Sequence, residues 1–282
     1  MPRIAIVTLH GMGKISPTYA EPLRIRLADA FGAQWNEFWF GAVQYQDLLQ
    51  ANQDAVWSRL PPAVSDNTWS ELREFLLFGF SDAASLEAGK ERPGSVYTQA
   101  QERIRSVIAA ARDATGGGPL VVVAHSLGAH VFSNYAWDCR QDSPAAGVWK
   151  ESPVDDPYLR LGMLTRLYST GCNIPIFVAG HSQVEPFQPV HPDFRWNNYY
   201  DPDDVLGWPL DALSEAYRAL VTDHAINAGG LFESWNPLSH NEYWSDSDFL
   251  IPLETDLREL LAASGGPTTA AEPLFVPPPP PI

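Results

Sequence analysis

A serine set between a buried strand and a helix can serve as a nucleophile, and Ser126 stands in such a place. The segment Ala124-His125-Ser126-Leu127-Gly128 follows the apolar run Leu120-Val121-Val122-Val123. It leads into a helical pattern with Leu127, Val131 and Tyr135 on one face. A strand-to-helix turn this tight strains its central residue and crowds its neighbours, which must be small; Ala124 and Gly128 meet that need. The turn lifts the Ser126 hydroxyl above the sheet edge, where a base can reach it. The helix start supplies free N–H groups and the positive end of a dipole. The same residues also fit an ordinary strand–helix junction with Ser126 as a plain N-cap.

A second chemical signal is His10-Gly11-Met12-Gly13, directly after the apolar run Ile4-Ala5-Ile6-Val7-Thr8-Leu9. Its glycines permit a tight loop whose N–H groups can face a substrate oxygen. The Met12 and Leu127 N–H groups are therefore assigned to an oxyanion hole, where one donor aimed at developing charge is worth ~3 kcal/mol. His10 sits at the end of the strand rather than past it. It reads as a group that orients the loop by hydrogen bonding, with a general-base role as the alternative.

These segments resemble the α/β-hydrolase superfamily, and within it lipase- and esterase-type members with an Ala-x-Ser-x-Gly elbow. The resemblance covers residues 4–13, 120–140 and 196–244, and covers 44–96 poorly. It implies an α/β-hydrolase fold, with a mostly parallel central sheet, helices on both faces and a helical cap insert. It also implies a triad in the chain order Ser, acid, His. Among the histidines after Ser126, His130 lies on the elbow helix, and His181 and His191 precede the best acid segment. His224 and His240 remain. His240, within Pro237-Leu238-Ser239-His240-Asn241-Glu242-Tyr243-Trp244, looks like the histidine loop of such lipases and is the expected base. Its alternative is a surface-loop histidine beside Trp244. The acid is expected in Asn197 to Gly207. Asp204, followed by Val205, fits best, then Asp203, then Asp201; the other carboxylates would hold Asx turns. A carboxylate is needed to fix the imidazole tautomer and to balance its charge when protonated. The implied activity is hydrolysis of a small carboxyl ester through an acyl-enzyme on Ser126, Asp204 and His240. An acyltransferase or thioesterase on the same triad stays open. So does a catalytically silent binding protein that uses the proline tail Pro277–Pro281.

The elements that must position these groups follow from periodicity. Ile4–Leu9 and Leu120–Ala124 are continuously apolar, as strands buried on both faces are. Asn36–Val43 reads as another strand, and helices are expected over 21–31, 98–114 and from Leu127. This alternation argues for α/β architecture. Leu164–Ser169 and Ile174–Ala179 both read as strands, the second also as a loop. Asp211 is placed as the cap of a helix with Leu213, Tyr217 and Leu220, and a last helix spans Glu254–Ala263. Between Pro61-Pro62 and Pro93-Gly94 lies an insert with a capping box at Thr68 and Glu71. Its helix, through Leu72, Phe75, Leu76, Leu77 and Phe78, is apolar on nearly every side. Residues 61–96 are therefore expected to cap the site and set acyl preference, with core packing or a dimer contact as the alternative.

Composition bounds the rest. The 282 residues are 45% hydrophobic and suit one domain, assigned here to 1–264. Residues 265–282, ending in five prolines, read as a disordered or polyproline tail. A formal net charge of -16 argues against binding to nucleic acid or anionic lipid. No run approaches the roughly 20 apolar residues of a membrane span. No signal peptide is apparent, and Cys139 and Cys172 are the only cysteines, so a cytoplasmic setting is expected. No dinucleotide or Walker sequence is present and no metal spacing is convincing, so neither cofactor nor metal is expected.

Overall fold

The computed structural model describes residues 1–66, 68–87, 92–140, 145–228 and 243–264. Six strands form one sheet: β1 Ile4–Leu9, β2 Phe38–Val43, β3 Leu120–His125, β4 Leu164–Thr170, β5 Arg195–Tyr200 and β6 Val221–Ala225. Their order is β2-β1-β3-β4-β5-β6, and every neighbouring pair is parallel. Parallel pairing requires crossovers, and these place helices on both faces. The expected α/β-hydrolase-like class is therefore what the described residues adopt.

The apolar strands divide their side chains by alternation. Ala5, Val7 and Leu9 of β1, with Val122 and Ala124 of β3, join a cluster with α5 (Val96–Thr115) and α6 (Leu127–Asp138). Ile4 and Ile6, with Val121 and Val123, join the opposite cluster with α1 (Glu21–Phe31) and α10 (Ser247–Ala263). Two-sided burial is why neither strand carries the usual polar alternation. The helices have ordinary stops and starts. Ser95 caps α5 by accepting from the Thr98 N–H, and Gly116 closes it at φ 64°. Asp246 caps α10 by accepting from the Asp248 N–H.

The chain runs from β1 outward to β2, then crosses to β3 on the other side of β1. The sheet order thus reverses between β1 and β3, and their C-terminal ends open the crevice in which doubly wound sheets place ligands. The helical insertion precedes that crossing: α2 Gln50–Trp57, α3 Pro62–Ser65 and α4 Ser70–Glu87.

Three expectations need correction. Ile174–Val178 is a short helix (α8), because Pro175 suits a first helical turn and cannot donate to a sheet. Asp211 opens only a 3-10 turn, and Ser214 caps the helix that follows, α9 Glu215–Leu220. The last helix starts seven residues earlier than expected, at Ser247. Strands β5 and β6 have no apolar run to announce them. The tail at 265–282 lies outside the described residues.

On α10, Leu253 is fully buried while Ile251 is 60% exposed. Leu253→Ala is expected to lower the unfolding free energy by about 3 kcal/mol and Ile251→Ala by under about 0.5 kcal/mol, measured by urea denaturation.

Candidate active site

Only one residue separates β3 from α6, and Ser126 is that residue. Its backbone stands at φ 51° and ψ -123°, a region that favours glycine. Among the described residues only Leu161 shares a positive φ without being glycine. Such a conformation costs on the order of 1–3 kcal/mol and persists only where its surroundings enforce it. Here they do. The Ser126 N–H donates to the Thr170 carbonyl at 2.8 Å, tying the turn to the end of β4. A Cβ on Gly128 would lie 2.5 Å from the His10 carbonyl oxygen, so only glycine lets α6 start this close to β1. A Cβ on Gly11 would lie 2.9 Å from the Ser126 Cβ. The loop after β1 therefore lies directly against the serine.

Ser126 occupies the N-cap position, yet its side chain makes no capping hydrogen bond. Its Oγ is buried and has no hydrogen-bond partner among the described residues. The plain N-cap alternative is thus disfavoured by geometry. Leu127 begins the helix, and a first-turn amide has no intrahelical acceptor. Met12 is half-buried, next to Gly11.

His10 is buried, with its ring stacked on Tyr45 at 3.9 Å and edge-on to Tyr19 at 5.0 Å. Burial lowers its pKa to about 4, so the ring is neutral near pH 7. Its Nδ1 lies 2.8 Å from the Gly11 carbonyl oxygen, and the neutral ring can donate there. The Tyr45 hydroxyl donates to the His10 carbonyl. The Gly11 carbonyl and the Met12 N–H are opposite ends of one planar peptide. By holding the first, His10 sets the direction of the second. That is an orienting role, and a ring so wedged is poorly placed to act as base.

The acid segment follows β5. The Asp201 carboxylate is buried and accepts from the Asp203 and Ala228 N–H groups, at 2.8 and 2.9 Å. Asp203 is exposed. Asp204 is buried; its Oδ1 accepts from the Leu206 N–H at 2.9 Å and its Oδ2 from the Tyr243 hydroxyl at 2.9 Å. Tyr243, fully buried, also accepts the Asp201 N–H at 2.8 Å. Burial, and then the Asp204 charge, push the Tyr243 phenol far above its usual range, so it stays a donor to Asp204. The Trp244 indole N–H donates to Thr170 Oγ1 at 3.1 Å, and the same oxygen lies 3.1 Å from His125 Nδ1. Tyr243 and Trp244 thus tie their segment to the acid loop and to the residue whose carbonyl holds Ser126.

His240 lies outside the described residues. Of the other histidines, His224 is held by Asn197 Oδ1 at 3.0 Å and stacks on Tyr199, and burial lowers its pKa. His130 sits 2.7 Å from Glu87 and stacks on Phe177, joining α6 to α4. His181 is exposed. His191 Nδ1 accepts from the Asp193 N–H. Among the described residues no cluster of three His, Cys, Asp or Glu is arranged to hold a metal ion. No described helix is long and apolar enough to cross a membrane. Two groups that bear on the site carry little signal in the sequence. Tyr243 was visible in its motif but assigned no contact. Asp82, whose Oδ2 accepts the Gly13 N–H of the loop after β1 at 2.8 Å, stands in sequence only as an acid within an apolar helix.

The His10 shift has a sign. Its folded pKa is depressed, so its contribution to stability is present above pH 6.5 and is lost as pH falls toward 4. Between those values the loss is expected to reach roughly 3 kcal/mol. Urea denaturation of His10→Gln should show a flatter dependence on pH over that window than the parent chain.

Comparison with known proteins adds a modest likeness. No protein-family model matches the chain, and no curated protein does. Similar solved structures include a protein of unknown function from Agrobacterium tumefaciens, at 16% identity over 92% of each chain and a TM-score of 0.44. An acetyl xylan esterase is 14% identical, over 94% of this chain and all (100%) of that one, at a TM-score of 0.42. A cutinase from Trichoderma reesei, bound to a phosphonate inhibitor, is 14% identical over 89% of this chain and 76% of that one, at 0.38. Likeness of this depth assigns no chemistry.

Proposed function

We propose that the chain is a serine hydrolase acting on small carboxyl esters. The observation that carries this reading is the backbone of Ser126, a strained, buried, uncapped serine between a strand end and a helix start. Natural chains retain strain of this kind where it positions a reacting group. In the proposed reaction Ser126 Oγ attacks the ester carbonyl while His240 removes its proton. The tetrahedral oxyanion accepts hydrogen bonds from the Met12 and Leu127 N–H groups. Collapse expels the alcohol, which takes the proton from the imidazolium, and water repeats the sequence to release the acid. Asp204 orients His240 and balances its charge. The burial of Asp204 and the exposure of Asp203 support choosing the former. His240 is assigned from sequence, three positions before the anchored Tyr243.

The insert supplies the acyl surface in this reading. On α4, Leu72, Leu76 and Phe80 are spaced four apart and are 38%, 40% and 68% exposed. The face beside it buries Phe78, Gly79, Asp82 and Leu86. An acyl chain resting on the exposed stripe would gain roughly 0.8 kcal/mol per buried CH₂.

Two experiments test the proposal. Ser126→Ala should abolish fluorophosphonate labelling and leave the fold intact, while Ser126→Gly should abolish labelling and raise stability by about 1 kcal/mol by relieving the strain. Asp204→Asn should cost on the order of 10⁴ in turnover, and Asp203→Asn far less. Labelling that mapped to another serine would refute the nucleophile. Separately, the pair Leu72→Ser and Leu76→Ser should raise KM for an octanoate ester more than for an acetate ester, with little change in Tm. Equal losses for both esters would deny the insert a part in acyl preference.

A further inference from the structure

We propose that Asp82 is a positioning residue for the oxyanion loop, holding the Met12 N–H in place through the peptide that follows it. The inference rests on the serine hydrolase reading above. Its starting point is a carboxylate where packing alone would favour a leucine. Asp82 lies on the buried face of α4, between Phe78 and Leu86. Burial raises its carboxyl above the usual range, so the position is costly. Among the described residues no cation pairs with it. Instead Oδ2 accepts the Gly13 N–H at 2.8 Å and Oδ1 accepts from Gln53 Nε2 of α2 at 2.6 Å.

The Gly13 N–H belongs to the peptide directly after Met12. His10 holds the peptide before it, through the Gly11 carbonyl. The Met12 backbone is thus fixed on both sides, by a histidine just past β1 and by an aspartate from the insertion. Neighbouring contacts clasp the same loop to the same helices. The Met12 sulfur lies against Gly79, where a Cβ would stand 2.7 Å from it. Lys14 Nζ lies 2.6 Å from Glu74 and 3.3 Å from Asp54, and 5.0 Å from the centre of the Phe78 ring. The Ile15 N–H reaches Gln50 Oε1 at 3.4 Å. Gly13 takes φ 94°, so the loop bends sharply where Asp82 holds it. These contacts make the insertion a buttress of the catalytic loop, a role separate from any contact with substrate.

The test compares Asp82→Ala, Asp82→Asn and Asp82→Glu with the parent chain, using 4-nitrophenyl acetate and a trifluoromethyl ketone that binds serine as a tetrahedral oxyanion. Asn keeps an acceptor for Gly13, and the unpartnered Gln53 Oε1 can turn to meet its amide. Glu keeps the charge and displaces the loop by one methylene. Asp82→Ala is expected to lower kcat/KM about 30-fold with KM within twofold, and to weaken ketone inhibition by a similar factor, less than the roughly 10²–10³ of an outright lost oxyanion donor because the Met12 N–H is misdirected and not removed. Asp82→Asn should recover most of that loss. Asp82→Glu should fold and still lose about tenfold in kcat/KM, which keeps the test decisive if Ala does not fold. The proposal is overturned if Ala or Glu retains parental kcat/KM per labelled serine, if Asn is as impaired as Ala, or if only Tm moves. Failure of the parent chain to label at Ser126 would instead refute the hydrolase reading itself.

Discussion

The site depends on a single close approach, the end of β1 against the first turn of α6. The His10 carbonyl occupies the space a side chain at Gly128 would need, and Gly11 occupies the space beside Ser126. Two loops that are far apart in sequence are thereby locked together by contact of their backbones. Neither loop can relax without moving the other. This is why Ser126 can be held in a conformation that a free turn would abandon. The parallel pairing of Leu9 with Ala124 brings both strand ends to one level.

Around this contact the polar groups serve orientation more than charge. His10 is neutral, and Tyr45, Tyr19 and Tyr243 are phenols that burial keeps protonated. Each fixes a carbonyl, an amide or a carboxylate at the strand ends. The three buried carboxylates near the strand ends, Asp82, Asp201 and Asp204, are likewise held by N–H and O–H donors. In a low-dielectric setting such dipoles hold their directions without the desolvation cost of ion pairs.

The apolar strands and the tight strand–helix turn at Ser126 were legible because their signals are local. Val121-Val122-Val123 announces a strand buried on both faces, and Ser126 between strand and helix announces a turn. Strand β5 was not legible, because Arg195-Trp196-Asn197-Asn198-Tyr199-Tyr200 carries polar residues where a central strand is expected to be apolar. Asn198 is fully buried, and partners from three other segments satisfy it: the Ser169 hydroxyl donates to its Oδ1, and its amide donates to the Trp208 carbonyl and to Asp223. Those partners cannot be read from residues near 198. The same holds for Asp82, whose acceptors are used by Gly13 and Gln53. Ile174–Val178 misled for the opposite reason: its apolar run suits strand and buried helix alike, and Pro175 decided the matter.

The register of the sheet also bears on how the chain is made. Ala5 pairs with Leu120, so the inner edge of β1 cannot be satisfied until β3 has left the ribosome. At ~5–20 residues per second that wait is on the order of ten seconds. During it the outer edge can pair with β2, but a mostly apolar strand still lacks its inner neighbour and the helices α5 and α6 that cover it. The continuity of Ile4–Leu9 that makes a sound sheet centre in the finished molecule is, during synthesis, a period of exposure.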